Sequence, residues 1–326
     1  MNIFIQQNKS NETSGPYSVE ELQHKIYSGE LSRTVSARRD GSQDWAPLES
    51  LLNQSPPPPL YAGQSSVAVP LDQLRDPKEK KSLAWLYIAS VPAWLFLIVW
   101  IVSGFGIPLV FIGLFGLLEL IGGLWFAAHL KTNAVRVSET QLPELNQVVE
   151  NCCKNLGLQR PDVYVMQQNI WNAFATKIFG RRMVVLYSGA VDSILLRGDL
   201  QQLTWLVGHE LGHHWAGHLN WNQRFAKLGG WLIWVNLWHS RRSELTSDRV
   251  GLYCAGSAKA SQLALMNATV GAQLANRVNV EEAAKQWQSH RGEFFVKYRT
   301  LYSTHPHLLA RLEHLNLAAQ EFGMAG

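Results

Sequence analysis

The chain has 326 residues, enough for two or more domains that each bury a core of their own. Apolar residues make up 47% and charged residues 17%, with 13 tryptophans, a balance that points towards membrane contact. The net charge of +4 comes without a basic stripe interleaved with aromatics, which argues against a nucleic-acid surface, and three cysteines are too few for a disulfide framework. Cys152, Cys153 and Cys254 lack metal-ligand spacing, so they read as reduced thiols in a cytosolic compartment. The first twenty residues hold no apolar core of signal-peptide length, which argues against a cleaved secretory signal.

Residues 1–54 read as a small soluble α+β module. Asn2 to Gln6 alternates as a strand, and Gly15-Pro16-Tyr17 reads as a turn. Ser18-Val19-Glu20-Glu21 opens an amphipathic helix with the stripe Leu22, Ile26 and Leu31. A second short strand covers Thr34 to Arg38, and Asp40-Gly41 turns the chain into Asp44-Trp45-Ala46-Pro47. A Gly-Pro-aromatic turn, a helix ending in Gly-Glu-Leu and a Trp-x-Pro segment, in this order, resemble the GYF-like domains of bacterial membrane proteins. The resemblance implies an aromatic surface for proline-rich peptide, with Tyr17 and Trp45 as its contacts. The alternative is that both rings are plain core residues of a tiny domain.

Residues 55–82 read as a linker. Pro56 to Pro59 forms a polyproline run, either an internal ligand for the preceding module or a stiff spacer. Leu83 to Val102 is then free of charge over twenty residues, the length that crosses a hydrocarbon core of about 30 Å. Ser103 to Pro108 breaks the run, and Leu109 to Ala128 is apolar again apart from Glu119, which is expected to face the partner helix or another subunit. Arg75, Lys78, Lys80 and Lys81 precede this hairpin at 83–128, and Lys131 and Arg136 follow it. The positive-inside rule therefore places both soluble parts in the cytoplasm, on a multi-pass protein of the inner (cytoplasmic) membrane.

From Thr132 the chain reads as soluble again. Leu142 to Leu156 has helical periodicity. Asp162 to Met166, Asn172 to Ala175 and Met183 to Tyr187 read as strands, with a turn at Gly180. A further helix, N-capped by Asp199, carries the apolar stripe Leu200, Leu203, Leu206, Val207 and Leu211 and the motif His209-Glu210-Leu211-Gly212-His213. Four residues turn a helix by about 400°, so the two histidines stand one above the other and can share a zinc ion. Glu210 lies beside them to handle the proton of a water activated there. The apolar run within Trp221 to His239 is too short to span a bilayer; it either lies on the membrane surface or covers the histidine helix as a lid.

A catalytic zinc needs a third protein ligand. An extended H-E-x-x-H-x-x-G-x-x-H pattern would need glycine at 216 and histidine at 219, but the chain has Ala216 and Leu219. His218, on a continued helix, would point away from the His209/His213 face. Glu244 and Asp248 share a face of a second helix, so Glu244 can bind zinc while Asp248 holds a ligand imidazole.

Asn172-Ala-Phe-Ala, His209-Glu-Leu-Gly-His213, Glu244-x-x-x-Asp248 and Ser303-Thr-His305-Pro306, in that order, resemble the membrane zinc metallopeptidases that include the heat-shock protease HtpX and the CAAX prenyl protease. The resemblance covers about 130–322. It implies a gluzincin-type α+β fold over about 130–322, mainly helical with a small sheet, and a zinc endopeptidase acting on protein or peptide substrates, with a place in membrane-protein quality control. One zinc would be held by His209, His213 and Glu244, with Glu210 catalytic and Asp248 behind the ligands. Asn172, Ala173, Phe174 and Ala175 would take the substrate as an added strand. His305 would stabilise the oxyanion or orient a carboxylate, or else merely help Thr304 cap the helix opened by Pro306. His218 matches an extra histidine in some relatives. The rival reading is a weakly active adaptor or chaperone-like protein that works through its GYF-like module; the intact Glu210 speaks against it.

Overall fold

The computed structural model describes residues 3–6, 13–27, 30–32, 34–53, 69–195, 199–228 and 232–324. It divides into two compact units, one built on Met1–Gln64 and one on Ser65–Ile194 with Asp199–Gly326.

In the first unit, strands β1 (Ile3–Gln6) and β2 (Thr13–Tyr17) precede helix α1 (Val19–Tyr27), and β3 (Ser36–Arg39) and β4 (Ala46–Pro47) precede α2 (Leu48–Asn53). The antiparallel sheet runs β2-β1-β3-β4. Ile3 and Ile5 point inwards from β1 at the strand period and meet Leu22, Ala37, Leu48 and Leu51. Ser18 and Glu21 close a reciprocal capping box, the Ser18 N–H on the Glu21 carboxylate at 2.8 Å and the Glu21 N–H on the Ser18 hydroxyl at 3.2 Å. The expected turn at Gly15-Pro16-Tyr17 is instead the end of β2, whose pairing with β1 shifts register between Ile3 and Ile5. Tyr17 packs half-buried on the core, while Trp45 is exposed with the Arg38 guanidinium 5.4 Å from its ring centre. The run Pro56 to Pro59 lies outside the described residues.

In the second unit, the linker expected up to residue 82 is folded from residue 69 onwards. A single 3-10 turn, Leu71–Leu74, leads into α3 (Glu79–Ser103), with Leu74, Asp76, Glu79 and Ser82 buried. The reason is hydrogen bonding: Arg249 donates to the carbonyls of Gln73 at 2.7 Å and Leu74 at 3.2 Å. Helix α4 (Ile107–Asn133) returns after a left-handed Gly106. Both helices are long and apolar enough to cross a membrane, with mean hydropathy 2.1 and 2.2. Phe96, Val102, Val110 and Phe115 point outwards, a surface that suits lipid as solvent. Glu119 is exposed on α4, which leaves the second of the two expected surroundings, another subunit, open to it.

The remaining elements follow as β5 (Ala134–Arg136), α5 (Pro143–Leu156), β6 (Asp162–Met166), β7 (Ala173–Ile178), β8 (Arg181–Tyr187) and α6 (Ser188–Leu195). Then come α7 (Leu200–Trp215), α8 (Trp221–Leu228), α9 (Ile233–Ala255), α10 (Ala258–Val270), α11 (Ala272–Ala275), α12 (Val280–His290), α13 (Phe294–Leu301) and α14 (Leu308–Glu321). The sheet order is β5-β6-β8-β7, with β6 and β8 parallel, so β7 is an edge strand. The foot of α4 packs on this sheet, where Leu130 joins Tyr164, Met183 and Val185.

Helix α7 is buried nearly all round, not along one stripe. Two glycines set its spacing to α9. A side chain at Gly208 would meet the Gly251 backbone at 3.0 Å, and one at Gly251 would meet the Trp205 carbonyl at 2.8 Å. The apolar run after Trp221 is no single lid. Its Ile233 to His239 part forms the first turns of α9, the helix that also carries Glu244 and Asp248. Trp231 lies outside the described residues, and Trp234 is exposed.

Candidate metal centre

Asp199 caps α7 by accepting the Gln202 N–H at 3.2 Å, and about three turns later His209 and His213 meet edge to face with ring centres 5.3 Å apart. Across the close α7–α9 contact, Glu244 faces both rings. Its Oε2 is 3.6 Å from His209 Nε2 and its Oε1 is 3.6 Å from His213 Nε2. A tetrahedral centre with bonds of about 2.0–2.2 Å has edges of roughly 3.3–3.6 Å, so these spacings fit a zinc ion. Among the described residues this trio, with ligand atoms all within 4.8 Å, is the group that could hold a metal. Two imidazoles and one carboxylate form a donor set that zinc accepts.

His209 donates from Nδ1 to Asp248 Oδ1 at 3.0 Å, which leaves Nε2 free for a metal. Asp248 is held in turn by Arg311 on α14, Nε to Oδ2 at 2.8 Å and Nη2 to Oδ1 at 2.6 Å. Burial works to raise the Asp248 pKa, but the Arg311 charge and hydrogen bonds outweigh it and hold the group below its usual value. Glu244 behaves likewise: burial is overcome by the His209 hydrogen bond and the charges of His213, His209 and Arg311.

Glu210 follows His209 on the helix and is not part of the trio. Burial pushes its pKa up to about 7, opposed by His209 and by a hydrogen bond with the Ala175 backbone of β7. The edge strand and this carboxylate therefore meet. Asn172 to Ala175 line one wall of a cleft of about 370 Å³ whose floor holds His209, Glu210, His213 and Glu244. Asn172 precedes β7, and its carbonyl accepts the Tyr187 N–H at 3.1 Å.

His305 stands exposed at the cleft, its Nε2 3.5 Å from Glu244 Oε1. Thr304 does not cap the following helix: its hydroxyl pairs with His305 Nδ1 at 2.9 Å, and α14 starts only after His307. His218 does not point away from the site. α7 ends at Trp215, Gly217 takes a left-handed φ of 79°, and the chain doubles back to bury His218 with its Nδ1 3.1 Å from that of His213.

Sequence reasoning missed Arg311. The available signal was a lone arginine in the apolar stretch Leu308-Leu-Ala-Arg311-Leu312, five residues past Pro306.

Residues 139–230 and 222–319 match the model of peptidase family M48, and residues 4–51 match that of GYF domain 2. The plastoglobule-localized metallopeptidase 48, chloroplastic, of Arabidopsis thaliana is 27% identical over 178 residues, 48% of this chain and 49% of its own length. A protease HtpX homolog of Pyrococcus furiosus is 25% identical over 248 residues, 61% of this chain and 83% of its own length. One from Thermodesulfovibrio yellowstonii is 35% identical over 80 residues, 24% of this chain and 27% of its own. The chain thus spans about half the length of the plant relative and most of the archaeal one. No solved structure matches it.

Proposed function

The chain belongs to peptidase family M48, and from that premise we propose that it is a membrane-anchored zinc endopeptidase that cleaves polypeptides paired to the free edge of β7. The observation that carries this reading is the juxtaposition of the His209, His213, Glu244 trio with Glu210 beside the edge strand. When bound, zinc would supply a Lewis acid that polarises the scissile carbonyl and lowers the pKa of water. Glu210, with its pKa near 7, takes a proton from the attacking water and returns it to the leaving amine nitrogen. Asp248 keeps His209 in one tautomer, and Arg311 keeps Asp248 ionised. His305, at the cleft mouth and 3.5 Å from Glu244, would stabilise the oxygen on which negative charge develops or orient that carboxylate. The substrate adds as a strand through backbone hydrogen bonds, which favours extended, unfolded segments.

The β7–β8 turn rests Phe179 on Gly123 of α4, with the ring 3.2 Å from where a Cβ would stand. That contact supports substrates presented at the membrane face, the setting of membrane-protein quality control. The first unit would bind proline-rich peptide through Trp45 and Tyr17, with Pro56–Pro59 as a candidate in cis. The test is hydrolysis of an unfolded casein-like substrate by the purified full chain in detergent. A chelator should abolish cleavage and added zinc restore it; cleavage that persists in chelator would defeat the reading.

The basic residues on both flanks support a topology in which the two soluble parts lie on the cytoplasmic face of an inner membrane. Reporter fusions after Ser65 and after Gly326 should give the same cytoplasmic readout, and opposite readouts would mean an odd number of spans.

A further inference from the structure

His218 lies beyond the end of α7 yet is buried, its ring centre 5.1 Å from that of His213. The two Nδ1 atoms are 3.1 Å apart, and His218 Nε2 is 3.1 Å from Glu79 Oε1. One proton arrangement satisfies the whole row when Nε2 of His213 faces the metal trio. His213 Nδ1–H donates to His218 Nδ1, and His218 Nε2–H donates to the Glu79 carboxylate. Glu79 is fully buried and stands on the first turn of α3. It also accepts from Arg75 Nη1 at 2.8 Å and from the Thr246 hydroxyl, which itself accepts the Asp76 N–H at 2.9 Å. Thr246 sits on α9 between Glu244 and Asp248. The row therefore repeats on the other side of the site what Asp248 does for His209: each metal-facing imidazole is backed by a carboxylate that ends on an arginine.

We propose that Glu79, on the first turn of a membrane-spanning helix, is the positioning carboxylate of His213 and acts on it through His218. This rests on the reading of His209, His213 and Glu244 as a zinc site. It makes the membrane anchor part of the metal centre: the helix that enters the lipid also holds the tautomer and ring angle of one ligand. A second role for Glu79, stapling α3 to α9 through Thr246, would affect folding but not metal affinity.

The experiment uses the full chain in detergent micelles. It measures the zinc Kd by competition with a chelator of known affinity and the Tm of the zinc-free protein. Glu79→Gln and His218→Ala should each raise the zinc Kd by about 10–100-fold, the scale of lost outer-shell partners. Because the two residues act in series, the double variant should be no worse than His218→Ala alone. An unchanged Kd in His218→Ala, or a double variant whose loss is the product of the single losses, would overturn the proposal. So would a Glu79→Gln protein with lowered zinc-free Tm and wild-type Kd. If Glu79→Gln does not fold, the Kd of His218→Ala decides alone. Wild-type protein that binds no zinc would instead defeat the metal reading on which the proposal stands.

Discussion

Replacing Glu210 with glutamine is expected to leave the fold and the bound metal in place and to cut peptide hydrolysis by at least about 10²–10⁴-fold, the usual worth of general acid–base catalysis. Glutamine keeps the shape of the side chain and can still meet the Ala175 backbone, so the cleft wall is preserved. What it removes is the carboxylate that takes and returns the proton. Since Glu210 lies outside the trio that could hold a metal, zinc content should match wild type. Turnover of a quenched fluorescent peptide beside metal analysis of the same sample checks both halves. Hydrolysis at the wild-type rate would remove Glu210 from the chemistry and return the adaptor reading to the front.

The second large effect is expected at Arg311. Its side chain is 11% exposed and makes a two-point contact with Asp248, itself almost fully buried. Arg311→Met keeps much of the apolar bulk but leaves Asp248 without its counter-charge. Breaking one partner of a buried ion pair costs about 3–5 kcal/mol, because the remaining charge is stranded in the interior. The loss should appear as a marked drop in Tm for the detergent-solubilised protein. Asp248→Asn in the same background should recover part of it, since the stranded charge is then gone. A Tm within the wild-type error would mean that water or another cation reaches Asp248.

Much of this site was legible in the sequence because its parts repeat at local spacings. The turn from His209 to His213, the step from Glu244 to Asp248 and the twenty uncharged residues from Leu83 follow from helix geometry alone. The Asn172 to Ala175 run lines the cleft beside β8, and β7 extends beyond it to Ile178. The parts that were not legible depend on contacts between distant segments. Arg311 meets Asp248 across 63 residues, and Glu79 meets His218 across 139, which no periodicity encodes. The direction of His218 depends on where α7 stops: a continued helix would turn it away, whereas Gly217 ends the turn and reverses the chain. Residues 69–82 look like a charged spacer by composition, yet two of their charges, Asp76 and Glu79, are buried partners of α9 and of His218 just beyond α7. The first turns of α9 look separate from Glu244 in the sequence because their apolar character differs from that of the polar stretch that follows.

The most direct test of the account is the zinc content of the purified full chain, measured by metal analysis for wild type and Glu244→Ala in parallel. One zinc per wild-type chain, with strongly reduced occupancy and no peptide hydrolysis in Glu244→Ala, is the expected result. Full zinc and wild-type hydrolysis in Glu244→Ala would contradict it, remove the α9 carboxylate from the centre and leave His218 as the candidate third ligand.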